Sequence, residues 1–320
     1  LLLYGVAGIW ITFASQSVIA ALASFVGPAT SASVPNLTDN ESDLRLASAL
    51  FGSTWGIMLA VGAALGGVFA AAFGRDAAFI ADAVSFAVAG ILFACVRTPM
   101  QSHDVSSTAR KPRPIADMKE AINVAKKDPV ILALLCSKMT FAVGAGIVSQ
   151  LAVLASNVFN VGDSGRGLLI GVRGIGSGLG PILGARIAGR DMAKLLKVCG
   201  YAGLVFAVCY VGAALSPFIG MAAVFIALAH LSGGAQWTLS TLGLQMEAPD
   251  HVRGRVMAGD MAMVNTMIGF TSILAGLTSQ FIGVRPAIII FAAAAAVASV
   301  VYLFATAGII RRLRNETPQQ

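Results

Sequence analysis

Along most of this chain polar residues come in short clusters and apolar residues in runs of about 20, the length a helix needs to cross a hydrocarbon layer about 30 Å thick. Nine such runs can be placed between charged breaks, at approximately 9–29, 47–73, 77–96, 130–157, 167–185, 198–215, 218–246, 256–282 and 287–309. Runs of this length predict an all-α membrane protein. The longest polar stretch runs from Arg97 to Asp128. Its first part, with Ser102, Ser106, Ser107 and two prolines flanking Arg113, reads as a flexible linker. From Ile115 the apolar positions Met118, Ile122 and Ala125 recur at helical spacing among Lys and Glu. That predicts either a short helix lying along the membrane surface or a solvated linker helix.

Composition agrees: 57% of residues are hydrophobic, 12% are charged, and mean hydropathy is +0.82. A single soluble core cannot hide that much apolar surface. The net charge of +7 would suit a nucleic-acid partner if it were clustered. It is instead divided by topology. If successive spans alternate in direction, 17 Lys and Arg fall on one face, among them Arg45, Arg113, Lys127, Arg190, Lys197, Arg253 and Arg314. Only Arg75, Arg166 and Arg285 fall on the other. Basic loops stay in the cytoplasm, so the rich face is read as cytoplasmic, the C-terminus with it, and no nucleic-acid partner is expected.

Four cysteines (Cys95, Cys136, Cys199 and Cys209) lie in apolar runs without CxxC spacing, which suggests neither disulfides nor zinc. No metal or other cofactor is expected. The sequons at Asn36 and Asn40 fall in a loop expected to be cytoplasmic. An enzyme within the membrane would need a nucleophile with its base or a metal cluster. The three histidines, His103, His230 and His251, are scattered through linker, span and loop.

An internal repeat is visible at an offset of 210 residues, where Arg45 meets Arg255, Gly66 meets Gly276, Arg75 meets Arg285 and Ala77 meets Ala287. The second and third spans thus answer to the eighth and ninth, and the first to the seventh. The fourth, fifth and sixth have no counterparts. The expectation is that three helices precede this chain in a twelve-helix parent built from two parallel repeats.

Charged side chains in mid-membrane cost at least ~2.5 kcal/mol on insertion scales, so each is a functional candidate. Lys138 lies about nine residues inside its span, roughly 14 Å deep at 1.5 Å per residue, and must face water or an acidic partner. Asp82 and Arg173 lie about one and a half turns from the outer surface, and Asp260 lies similarly near the inner one. These three read as gating or coupling groups, Asp82 also as a proton site. Gln16, His230, Gln236 and Asn265 are polar groups that could line a cavity with Lys138. His230 is suited to proton coupling by its pKa range, or to hydrogen-bonded packing. Met257, Met261, Met263 and Met267 read as core packing or as an adaptable binding wall.

Three stretches carry a resemblance. Val61 to Gly67, with Gly62, Gly66 and Gly67, is similar to the GPxxGG antiporter motif, Ala63 standing in place of Pro. Gly171 to Pro181, glycine at nearly every second position, leads into Gly184 to Arg190, a degenerate GxxxDRxGR loop motif with Ala188 in place of Asp. Arg253, Gly254 and Arg255 resemble an RGR loop signature. Glycines spaced by four bare one helix face for close approach by a neighbour. Together the stretches resemble the major facilitator superfamily, in particular its enterobactin-exporter-like and multidrug-efflux branch, and the runs match helices four to twelve of that fold.

The resemblance implies a partial N-terminal bundle over 1–97, a cytoplasmic linker over 98–128, a complete six-helix bundle over 129–310 and a cytoplasmic tail over 311–320. It further implies a monomer in the cell inner membrane that exports a small-molecule substrate by alternating access, with protons as the coupling ion and the lipid bilayer as its surroundings. An importer of the same fold and a non-transporting receptor or scaffold remain open.

Overall fold

A computed structural model of the chain describes residues 6–95 and 114–316. The serines and prolines between Arg97 and Arg113 lie outside the described residues. The helices are α1 (Val6–Ser33), α2 (Glu41–Phe73), α3 (Arg75–Cys95), α4 (Pro114–Lys127), α5 (Pro129–Ala145), a short α6 (Leu151–Val153), α7 (Gly162–Ala188), α8 (Met192–Leu215), α9 (Ile219–Glu247), α10 (Asp250–Ile282) and α11 (Val284–Glu316). Among the described residues nine spans are long and apolar enough to cross a membrane, and no strand occurs. The protein is thus an all-α, multi-pass membrane protein.

Local chemistry sets the helix starts. Asp128 caps α5 by accepting hydrogen bonds from the backbone N–H of Val130 at 2.8 Å and of Ile131 at 3.2 Å, while Pro129 supplies a first helical residue that needs no N–H partner. Asp191 caps α8 by accepting from the N–H of Lys194 at 3.1 Å. Several starts precede the apolar runs, two of them by a charged, acidic turn. α2 begins at Glu41 rather than 47, and α10 at Asp250 rather than 256. A charged first turn complements the helix dipole and can stand outside the apolar layer, so hydropathy stops short of the true helix end.

The polar helix expected from Ile115 is α4. It packs against α5 and α10, with Ala125 buried at 6% exposure. The repeat also has a structural form. α2 and α10 are each 33 residues long, and each ends on one glycine with positive φ, Gly74 at 86° and Gly283 at 90°. Only glycine turns the chain so sharply at no steric cost. This turn recurs within one residue of the offset read from the sequence.

The packing has two cores. One, built of Phe206, Tyr210, Leu154, Leu169, Ile226 and Ile288 with their neighbours, draws on α5 to α9 and α11. The other joins Leu134, Leu196, Leu242, Val252 and Ile310 with Leu44 of α2 and Val34, which follows α1. α3 touches the rest of the described chain through α2, and its apolar window is 0% buried.

α7 packs between α9 and α2, and its glycines explain how. Gly176, Gly180 and Gly184 form one row at four-residue spacing, laid on Ala227, Leu231 and Ala235 of α9, which are also four apart. At Gly176 and Gly180 the α9 backbone itself fills the place of a side chain. Gly174 and Gly178, offset by two residues, form a second row on the far side of the helix, since about 100° per residue carries two residues to roughly 200°. That row meets Gly56, Ile57 and Ala60 of α2. One helix therefore serves two backbone-close interfaces.

Candidate functional site

α5 and α10 both rise from the basic end of the molecule. Lys138 comes nine residues after Pro129, and Asp260 comes ten after Asp250. The two side chains meet at one level, 1% and 0% exposed, and form an ion pair through Asp260 Oδ2. The Lys138 ammonium also donates to Thr241 Oγ1 at 2.8 Å and lies 5.1 Å from the ring centre of Trp237. Thr241 directs its own hydroxyl hydrogen to the Trp237 carbonyl at 2.9 Å, leaving lone pairs for the lysine. Asp260 Oδ1 is buried without a hydrogen-bond partner among the described residues. Burying two charges is tolerable only when each compensates the other. This pair has one acceptor position left over.

Asp260 comes level with Lys138 because α10 starts at Asp250, ten residues before it, much as α5 starts nine before Lys138; a start at 256 leaves it four residues from the helix end. Two turns beyond Lys138 the α5 span loses its regular geometry. It continues as a 3₁₀ turn over Gly146–Gln150, α6, and a π turn over Leu154–Val158. Gly146 lies against the backbone of Thr271 and Ser272, and Thr271 Oγ1 reaches the Ala142 carbonyl at 3.1 Å. Short 3₁₀ and π segments inside a helix mark places where it can bend.

The other polar groups singled out from sequence fall in separate places. Gln236 donates from Nε2 to the Ser137 carbonyl at 2.6 Å and to Thr140 Oγ1 at 2.8 Å, which ties α9 to α5 one residue from Lys138. His230 is 3% exposed, shares a 2.8 Å hydrogen bond with the Tyr210 hydroxyl, and stands edge-on to Phe206 at 5.9 Å, inside the core between α8 and α9. Arg173 lies over the Trp55 ring at 5.5 Å, across the contact of α7 with α2. Gln16, Asp82 and Asn265 are exposed on α1, α3 and α10. Among the described residues, a side chain added at Gly62 or Gly66 would meet nothing within 4 Å, and Gly67 lies on the same helix. Arg253 pairs with Asp250 at 2.7 Å, Gly254 faces Ala32 of α1 at 3.9 Å, and Arg255 is half-buried on the same turn.

A second polar cluster, unmarked in the sequence reading, closes the basic end. Gln245 accepts a hydrogen bond from Ser48 Oγ of α2 at 2.8 Å and donates to the Ser31 carbonyl of α1 at 2.6 Å. Arg45 pairs with Glu41 at 2.5 Å and also donates to the Gly189 carbonyl at the end of α7, a favourable place for a cation at a helix C-terminus. The signal for Gln245 was present: Trp237, Thr241 and Gln245 recur at four-residue spacing and form a polar stripe on one side of α9. Polar contacts between α1–α2 and the remaining helices thus gather at the basic end, while α2 stands open around Gly62 and Gly66.

None of the curated proteins compared with the chain matches it. The sequence family described as the Major Facilitator Superfamily matches residues 1–190, more than half of the chain. With that match and the nine apolar spans, the chain belongs to the major facilitator superfamily, a family of membrane transporters.

Proposed function

We propose that this transporter exports small amphipathic molecules by alternating access and is driven by proton antiport, as a monomer in the inner membrane with its C-terminus in the cytoplasm. The observation that carries the coupling is the buried pair of Lys138 and Asp260, with the free Oδ1 of the carboxylate. A proton taken up by Asp260 removes the countercharge of Lys138 and leaves an ammonium beside Trp237 and Thr241 with no carboxylate to balance it. Such a state is unfavourable in a dry interior and favours a movement that lets the lysine find water or a substrate. The pair joins α5 to α10 about two turns before the irregular segment from Gly146 to Val158, so the charge change acts on the same span that can bend further along. Closure at the basic end with bare glycines on α2 further out suits a carrier whose halves rock about a central site.

The test uses cells that express the protein and are loaded with a fluorescent amphipathic cation. Efflux that an uncoupler stops, and that Asp260→Asn reduces by at least tenfold, supports the reading. Dye uptake without efflux replaces it with import. Efflux unchanged by both uncoupler and Asp260→Asn removes proton coupling through this pair.

A further inference from the structure

At the basic end α8 and α11 leave a groove of about 620 Å³ between them. Its volume falls within the range of about 300–1,000 Å³ typical of sites for small ligands. The lining is sorted by height. Tyr201 of α8 with Val300, Leu303 and Phe304 of α11 form an apolar shaft, in which Phe304 is 80% and Tyr201 57% exposed. Lys197, Arg311 and Arg314 form the rim.

Two features choose the occupant. The first is charge: three cations converge on one cleft whose lining contains no acidic residue, and none of the three is in an ion pair among the described residues. Arg45 and Arg253, at the same end of the molecule, have Glu41 and Asp250 beside them. Like charges gathered without a counter-ion call for an anion. The second is length. Val300 and Arg311 are eleven residues apart on one helix, a rise of about 16 Å, which is half of an apolar layer about 30 Å thick. A groove with cations at the surface and an apolar wall one leaflet deep has the proportions of a single membrane lipid. A soluble phosphate compound would leave the shaft empty.

We propose that this groove binds one anionic phospholipid, its headgroup phosphate held by Lys197, Arg311 and Arg314 and an acyl chain laid along Tyr201, Val300, Leu303 and Phe304. The site stands apart from the Lys138–Asp260 pair and does not depend on the direction or coupling of transport. A lipid there clamps α8 to α11 on their lipid-facing side, where Gly200 already brings the helices close against Leu303 and Tyr302.

The experiment is native mass spectrometry of the chain in detergent, titrated with phosphatidylglycerol or with phosphatidylcholine of the same acyl chains. One phosphatidylglycerol is expected to bind in preference to phosphatidylcholine. Replacing the rim as K197Q/R311Q/R314Q is expected to weaken it on the order of 100-fold, from about fivefold per cation near an anionic lipid. K197Q alone gives about fivefold by the same measure, and keeps the test readable if the triple variant folds poorly. R186Q/R190Q/K194Q removes as much charge from the same end outside the groove and is expected to leave binding unchanged. Equal binding of the two lipids, or equal loss in both triple variants, overturns the proposal. Full competition by soluble glycerol phosphate also overturns it, because the shaft would then contribute nothing.

Discussion

Two glycine-rich stretches, one on α2 and one on α7, carry the same signal in sequence and have different fates in the fold. On α7 the rows at Gly176, Gly180, Gly184 and at Gly174, Gly178 lie against the backbones of α9 and α2. On α2, Gly62 and Gly66 face nothing within 4 Å among the described residues. Two intramembrane charges divide the same way: Lys138 is sealed against Asp260, whereas Asp82 on α3 is exposed. A small residue or a charge in a span states what a neighbour would be permitted or required to do. Whether a neighbour stands there is a property of the assembly.

That contrast can be broken experimentally, most severely at the charge pair. Lys138→Met leaves the Asp260 carboxylate buried and alone, and is expected to cost about 3–5 kcal/mol of stability, most of it regained in K138M/D260L. Asp82→Asn is expected to change stability by less than about 0.5 kcal/mol, as for most exposed substitutions. Thermal unfolding in detergent, followed by tryptophan fluorescence, reads both. A loss at Asp82 as large as at Lys138 would erase the distinction between the regions.

The glycine rows come next. Gly180→Val drives a branched side chain into the backbone of Leu231 and Ala235 and is expected to cost about 1–3 kcal/mol. Gly66→Ala has open space around it and is expected to be neutral or to gain up to about 1 kcal/mol from helix propensity. Equal effects at the two positions would mean that α2 is packed there after all.

A smaller effect on stability, with a clearer effect on shape, is expected at the basic end. Gln245→Ala removes the bonds to Ser48 and Ser31, worth about 1 kcal/mol each. Ser53 is 3% exposed on α2 beside α7. In a background without the four native cysteines, a cysteine at Ser53 is expected to react several-fold faster with a maleimide when Gln245 is replaced. No change in rate would show that the closure is held elsewhere. Tyr210→Phe removes one buried hydrogen bond to His230, is expected to cost about 1 kcal/mol and leaves transport intact, because that pair sits within the core.

Most of the fold was legible because lipid imposes a simple rule: each span announces itself as an apolar run, and all nine are helices. The short polar helix before Pro129 and the recurrence of α2 in α10 were legible for similar reasons, the first from periodicity and the second from spacing. Helix starts were not. The apolar pattern ends at the first charge, whereas α2 and α10 carry charged first turns, and the missing turn hid that Asp260 stands level with Lys138. Lys138 was marked by its cost in the membrane, but its partners Thr241 and Trp237 lie about 100 residues away, beyond what a local pattern can join. Gln245 lay in a visible polar stripe, and its meaning depends on Ser31 and Ser48 arriving from the other end of the chain.

The sequence by itself determined that this protein lives in a membrane, how many times the described chain can cross it and which residues are too costly there to be idle, since these follow from the transfer of each side chain between water and lipid. The tertiary structure decided which charge meets which, which glycines are filled by a neighbour and which end of the assembly is closed. In lipid no hydrophobic force tells one apolar face from another, so those choices rest on shape and on a few polar contacts made only once the helices stand together.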